Sequence, residues 1–294
     1  MKLFDDCFSN AGPQEELMLW PKKVLMVSPE HFDIEYAINP HMINNKGELK
    51  SVDTKKAFQQ WEKLKDTFAS LNLVIEVIPG AEKLPDMVFC ANQCFPFKKD
   101  GKLNLVLSEM HSDQRKPEVP YFKKWAQSHN IPTHKLGDIP LEGMGDVIWD
   151  YSSEKIFGGF GIRTSSEIYP QLESLIGKEI IQLELVNERF YHLDTCFSPL
   201  GNGKVAFVKE AFSEKGLKII ESHFSTLIEI PLDEAIKQLA CNLCGPNGQD
   251  IIIQKGALKT NQLLKEQGFK IHEVDTSEYI KSGGSVFCMK LLLH

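Results

Sequence analysis

The sequence predicts an α/β fold built from about five strand-and-helix units, and three features predict it. Short apolar runs such as Val24 to Val27 stop at Pro or Gly, apolar stripes of helical spacing lie between them, and the alternation returns along the whole chain. No Gly/Ser-rich linker or low-complexity tract divides the units. Such repetition argues for a closed or radial arrangement, although a doubly wound open sheet gives a similar alternation. The expectation is one domain spanning 1–294.

The elements follow in order. Val24 to Val27 reads as a buried strand ended by Pro29. Ala57, Phe58, Trp61, Leu64, Phe68 and Leu71 recur at spacings of three and four, the stripe of an amphipathic helix. Leu73 to Ile78 is a strand stopped by Pro79-Gly80. Leu103 to Leu107 is a strand before a helix near Tyr121 to Ser128. Val147 to Asp150 and Lys155 to Gly159 are strands before a helix over Thr164 to Ile176. Thr164 and Glu167 have the spacing of a capping box, and Gly177 stands where a helix ends in the left-handed conformation. Val205 to Val208 is a strand, Glu214 to Phe224 a helix and Thr226 to Ile230 a strand. A helix from Asp233, a strand Ile251 to Gln254, a helix Leu258 to Gln267 and a strand Phe269 to Val274 lead to a last strand headed by Cys288.

Composition narrows the function. A chain of 294 residues, 42% hydrophobic and 25% charged, can bury a large core. Its net charge of −7 is spread along the chain, without the basic stripe that nucleic-acid binding requires. No apolar run is long enough to cross a bilayer, and the N-terminus has no basic region followed by an apolar one. A cytoplasmic protein without nucleic-acid or membrane partners is expected, with homo-oligomerisation left open. Seven cysteines, an odd number, argue against a complete disulfide framework. Cys241-x-x-Cys244 and Cys90-x-x-x-Cys94 lack the turn-rich surroundings of small zinc modules and read as core thiols. Gly158-Gly159-Phe160-Gly161 lacks the spacing of a dinucleotide fingerprint, and no Gly-x-Ser-x-Gly occurs.

The candidate chemistry lies at element ends. Cys288 follows the turn Ser282-Gly283-Gly284-Ser285, and His192-Leu193-Asp194 would send His192 and Asp194 to one face of an extended segment. Glu142 sits in the Gly-flanked bend Leu141-Glu142-Gly143, where the backbone can approach a ligand closely. A thiol, an imidazole and carboxylates are the parts needed to attack an electrophilic carbon, move a proton to the leaving group and hold a cationic or polar substrate. Each also has a bland explanation, as core thiol, hydrogen-bonded histidine or strand end. What sets them apart is that each falls at a turn or strand end rather than in a periodic core stripe.

In these segments the chain resembles the guanidino-group modifying superfamily, which includes arginine deiminase, dimethylarginine dimethylaminohydrolase and the amidinotransferases. Tyr36-Ala37-Ile38-Asn39-Pro40, Pro85-Asp86-Met87-Val88-Phe89-Cys90-Ala91-Asn92, Pro120-Tyr121-Phe122, Gly159-Phe160-Gly161-Ile162-Arg163 and Glu188 to Phe197 extend the resemblance over nearly the whole chain. It implies the pentein fold, an α/β propeller of five pseudo-repeated ββαβ-like units around a central active site. Ile38-Asn39-Pro40, Asn92 and the Glu188 to Phe197 segment look like the arginine dihydrolase branch, whose members convert arginine to ornithine, carbon dioxide and two ammonia. Carried over by motif, Cys288 attacks the guanidinium carbon, His192 shuttles protons, and Glu142 and Asp194 hold the guanidinium nitrogens. Asn39, Asn92, Arg163, Gly284 and Ser285 complete the substrate site, and neither metal nor organic cofactor is needed.

Asn92 stands where deiminases of the superfamily carry an aspartate. An amide offers both a donor and an acceptor, so with Asn39 it could retain a neutral ureido intermediate for a second attack. The departure is Glu109, which follows Leu107-Ser108 where relatives carry an arginine for the substrate α-carboxylate. Arg163 would then act alone, or the substrate would lack the carboxylate, as agmatine does. A deiminase or dimethylarginine hydrolase stopping at citrulline, an amidinotransferase and a silent binding module are the alternatives.

Overall fold

The computed structural model describes residues 20–293. Its first helix shows how sequence pattern becomes packing. Asp53 accepts a hydrogen bond from the Lys56 backbone N–H and starts α1, Thr54–Ser70. Ala57, Trp61, Leu64 and Phe68 are buried as the stripe predicts, whereas Phe58 is exposed at its edge. The helix joins β1, Lys23–Val27, to β2, Val74–Ile78, and the two strands pair in parallel.

The same arrangement recurs. β3, Cys94–Lys99, pairs antiparallel with β4, Lys102–Leu107; α2, Val119–Ser128, then leads to β5, Thr133–His134, parallel to β4. The short helix α3, Gly143–Asp146, precedes β6, Val147–Asp150, and β7, Lys155–Phe160, which form an antiparallel pair. α4, Tyr169–Ile176, connects to β8, Ile180–Glu184, parallel to β7. β9, Phe197–Gly201, and β10, Lys204–Phe207, are antiparallel, with α5, Glu214–His223, and a parallel β11, Thr226–Glu229. After α6, Leu232–Lys237, the strands β12, Asp250–Gln254, and β13, Lys270–Val274, pair in parallel around α7, Leu258–Glu266. An antiparallel bridge from Cys244 to Ile252 stands where the other sheets have a third strand. Finally α8, Ser277–Ile280, leads to β14, Leu291–Leu293, which returns antiparallel to β1.

Among the described residues five small sheets result, in the orders β14-β1-β2, β3-β4-β5, β6-β7-β8, β9-β10-β11 and β12-β13. The parallel partner always follows a helix, because parallel strands need a crossover. The structure therefore carries the predicted α/β alternation as five separate sheets, not as the single open sheet that remained possible.

Four expectations need correction. Cys288 does not head a strand: residues 286–289 form a turn in which the Met289 N–H donates to the Ser285 carbonyl, and β14 begins only at Leu291. The helix expected from Thr164 begins at Tyr169, after a 3-10 turn Ser166–Ile168 capped by Ser165. Thr164 is instead turned into the interior, where its hydroxyl donates to Asp146 and accepts from the Glu142 N–H. His192-Leu193-Asp194 is not extended throughout, because Leu193–Thr195 forms a 3-10 turn beginning after His192. Lastly, β3, β5, β8 and β9 were not foreseen. β3 and β9 contain Pro96 and Pro199, but both are edge strands, where a missing N–H leaves no ladder bond unmade.

The expectation that no leader precedes the domain concerns residues outside the described part. Among the described residues, no helix is long and apolar enough to cross a membrane.

Candidate active site

Cys288 is held by contacts from both sides of its turn. Asn242 accepts hydrogen bonds from the Ser285 and Cys288 backbone N–H groups through Oδ1, at 3.0 and 3.3 Å. Its Nδ2 donates to the Asp194 carbonyl at 3.0 Å and to Cys288 Sγ at 3.1 Å. The thiol in turn donates to Asp194 Oδ2 at 3.1 Å, while Asp194 Oδ1 is buried without a hydrogen-bond partner. The glycines ahead of the cysteine allow this close fit. Gly283 has φ +90°, and a Cβ there would lie 2.6 Å from the Tyr191 hydroxyl; a Cβ at Gly284 would overlap the Phe89 ring.

On the facing side, Glu142 precedes α3, where Gly143 has φ +46° and a Cβ would lie 2.6 Å from the Cys94 carbonyl. Glu142 Oε2 accepts from His192 Nε2 at 2.5 Å and from Arg163 Nη1 at 3.4 Å, and Oε1 accepts from the His111 N–H at 2.9 Å. Burial alone would raise the Glu142 pKa, but the His192 ring and the Arg163 guanidinium outweigh it and hold the carboxylate well below its usual range. Arg163 also donates to the Ile38 carbonyl at 2.7 Å and lies over the Tyr191 ring, 4.8 Å from its centroid.

Asn92 lies between these groups. Its Nδ2 is 3.5 Å from His192 Nδ1, and its Oδ1 accepts from Arg115 Nη1 at 2.9 Å. Arg115, which the sequence reading did not single out, is buried against Glu118 and donates to the Asp86 and Phe89 carbonyls as well. Burial pushes the Glu118 pKa up to about 7, against the pull of Arg115.

A small cleft beside these groups is lined by Asn39, Asp86, Asn92, Arg115, Arg163, Tyr191, His192, Gly284 and Cys288 among others, with Glu142 and Asp194 outside the lining itself. Asn39 is committed to backbone on both sides: Oδ1 accepts from the His41 N–H and Nδ2 donates to the Ser282 carbonyl. Ser285 sits behind the wall, hydrogen-bonded to Thr276. Glu109 is away from the cleft lining, with its carboxylate 3.1 Å from Lys135 and 3.9 Å from Lys116. Asp86, Arg115 and Asn242 were missed as site residues. Only Asp86 carried a signal, through its place in the Pro85 to Asn92 segment; a lone Arg or Asn in a loop carries none.

The electrostatics favour a cationic ligand. Burial, then the neighbouring Asp194, push the Cys288 thiol well above its usual pKa, and burial pushes Asp194 up to about 7. A cation in the cleft would reverse both effects by stabilising thiolate and carboxylate. Cys90, Cys94, Cys241 and Cys244 are buried free thiols, and no cluster of three or more His, Cys, Asp or Glu suited to a metal occurs among the described residues.

ArgZ, the bifunctional arginine dihydrolase/ornithine cyclodeaminase of Synechocystis, is 34% identical over 272 residues, which are 92% of this chain and 37% of that protein. The AgrE protein of Nostoc, with the same description, is 32% identical with the same coverage, so the chain spans about 37% of the length of these relatives. The dimethylarginine dimethylaminohydrolase of Mycobacterium tuberculosis is 29% identical over 93% of this chain and 86% of its own. Among solved structures, the N-terminal domain of ArgZ covalently bound to a reaction intermediate superposes with a TM-score of 0.86 at 31% identity, over 92% of this chain and 97% of that one. The dimethylarginine hydrolase of Pseudomonas aeruginosa, with a TM-score of 0.74 at 19% identity over 93% of this chain and all of that one, shares the α/β fold. The profile described as N,N dimethylarginine dimethylhydrolase, eukaryotic, matches residues 28–293, and the chain belongs to that family within the guanidino-group modifying enzymes.

Proposed function

We propose that this chain is a cysteine hydrolase of guanidino compounds and acts as an arginine dihydrolase. The observation that carries this reading is the buried Cys288 thiol hydrogen-bonded to Asp194, whose second oxygen lacks a partner, with an amide rather than a carboxylate at Asn92 beside His192. The guanidinium lies between Asp194 and Glu142, and its charge favours the thiolate, so that the Cys288 proton passes to His192. Cys288 Sγ bonds to the guanidinium carbon, ammonia leaves with a proton supplied through His192, and the adduct keeps the remaining amidino group. Water, deprotonated by His192, displaces the thiolate and leaves the neutral ureido compound. A second attack on the ureido carbon expels the second ammonia as a thiocarbamate forms. Water then releases a carbamate, which breaks down to ornithine and carbon dioxide.

We further propose that the five sheets close as a propeller around this cleft, within one catalytic unit over 1–294. The antiparallel pairing of β1 with β14, which joins the two ends of the described chain, supports that closure. The ion pairs of Glu109 with Lys135 and Lys116 support a substrate with an α-carboxylate, because the anion is already satisfied away from the cleft.

The second reading is hydrolysis that stops at citrulline, favoured by the match to the dimethylarginine hydrolase family. Incubation with arginine, agmatine and methylated arginines, measuring products and ammonia per substrate consumed, separates the two. Two ammonia per arginine with ornithine is expected; one ammonia with citrulline would replace the dihydrolase reading. Asn92→Asp should shift the wild-type product from ornithine to citrulline.

A further inference from the structure

Arg115 is held in place by acceptors on three sides. Nε lies 3.1 Å from both Glu118 oxygens, and Nη2 donates to Glu118 Oε2 at 2.9 Å and to the Asp86 and Phe89 carbonyls at 3.0 and 3.2 Å. Glu118 is itself fixed by Gln93 Nε2 at 2.5 Å. The remaining group, Nη1, meets the Asn92 side chain at 2.9 Å. A guanidinium has only donors, so the Asn92 atom facing it must be the carbonyl oxygen. Rotating the amide by half a turn would set NH2 against the guanidinium in a buried site, leaving donors unpaired.

The NH2 group therefore points the other way. It lies 3.5 Å from His192 Nδ1 and so close to Gly145 that a Cβ there would overlap it. His192 Nε2 lies 2.5 Å from Glu142 Oε2, and an ionised carboxylate is acceptor only. Both neighbours of the ring thus ask for the same tautomer, with the proton on Nε2 and the lone pair on Nδ1.

We propose that Arg115 is a positioning residue that locks Asn92 as a donor and, through it, keeps Nδ1 of His192 unprotonated, with its lone pair available to act as the base. This deepens the dihydrolase reading of Asn92 and rests on it. A donor-only amide makes no hydrogen bond to a guanidinium, which has no acceptor, but it can bond the carbonyl oxygen that appears in the ureido intermediate. Asn92 then discriminates between the substrates of the two steps, and Arg115 enforces the discrimination.

The test compares Arg115→Lys, Asn92→Asp and the double variant with wild type, counting ammonia and citrulline per arginine consumed. The ratio does not depend on overall rate, so a change in KM alone leaves it unmoved. Arg115→Lys keeps a cation beside Glu118 but loses the planar fork, and the ratio is expected to fall from two toward one. The double variant should fall no further than Asn92→Asp. A folded Arg115→Lys protein that still releases two, beside an Asn92→Asp protein that releases one, would overturn the role of Arg115 and spare that of Asn92. Two from both variants would remove the Asn92 reading and this inference with it. Should Arg115→Lys not fold, long-range 1H–15N correlation spectra of the wild-type protein decide the matter. A proton on Nε2 is expected; a proton on Nδ1 would overturn the proposal.

Discussion

At the residue scale the site separates groups that announce themselves from groups that support them. Cys288, His192, Glu142 and Asp194 were legible as candidates because each is a chemically reactive residue placed by the sequence at a turn or strand end. Asn242 and Arg115 were not, although Asn242 makes four of the hydrogen bonds that organise the Cys288 turn. Asparagine and arginine in loops are common, and only their partners distinguish them. Asp194 yields a prediction with a definite sign. Burial pushes its pKa up to about 7, so below that pH it is neutral and offers a guanidinium no counter-charge. Arginine binding releases the proton, and the affinity of a Cys288→Ser variant should rise about tenfold per pH unit up to neutrality and flatten above it. Calorimetric titration across that range checks this, and an affinity independent of pH would remove Asp194 as the ionised partner.

At the element scale, helix positions were readable because a stripe of period 3.6 is local, whereas caps depended on what the flanking chain reaches. Asp53 caps α1 through the Lys56 N–H, and Asp53→Ala should lower stability by about 1 kcal/mol in urea unfolding without changing the site. Thr164 had the spacing of a cap and proved to be a bridge between α3 and the bend that carries Glu142. Thr164→Val keeps the shape but removes both hydrogen bonds. It should cost about 1–3 kcal/mol, because it leaves the Glu142 N–H and a buried Asp146 oxygen unsatisfied. Unlike Asp53→Ala, it should also reduce turnover, since the same bond positions Glu142. Full activity in a measurably destabilised Thr164→Val protein would show that the bend does not depend on it. The edge strands β3 and β9 were hidden by Pro96 and Pro199, since proline argues against a strand only while its place in the sheet is unknown.

At the scale of the whole molecule, the described chain begins and ends in one sheet. Leu291, Leu292 and Leu293 are buried and pair β14 with β1. Fully burying a leucine contributes about 1.5–3 kcal/mol, so three approach the 5–15 kcal/mol that holds a typical domain together. Ending the chain after Lys290 should leave a protein that does not fold cooperatively, as circular dichroism through a thermal scan would show, even though Cys288 itself is retained. The sequence by itself determined the α/β alternation and marked Cys288, His192 and Glu142 as candidates, because periodicity and reactive side chains are properties of short segments. Tertiary structure alone decided that Cys288 sits in a turn, that Glu109 points away and that Arg115 commits the Asn92 amide to one orientation. Those outcomes rest on hydrogen bonds and ion pairs between segments well separated along the chain, and no local pattern encodes which donor will meet which acceptor.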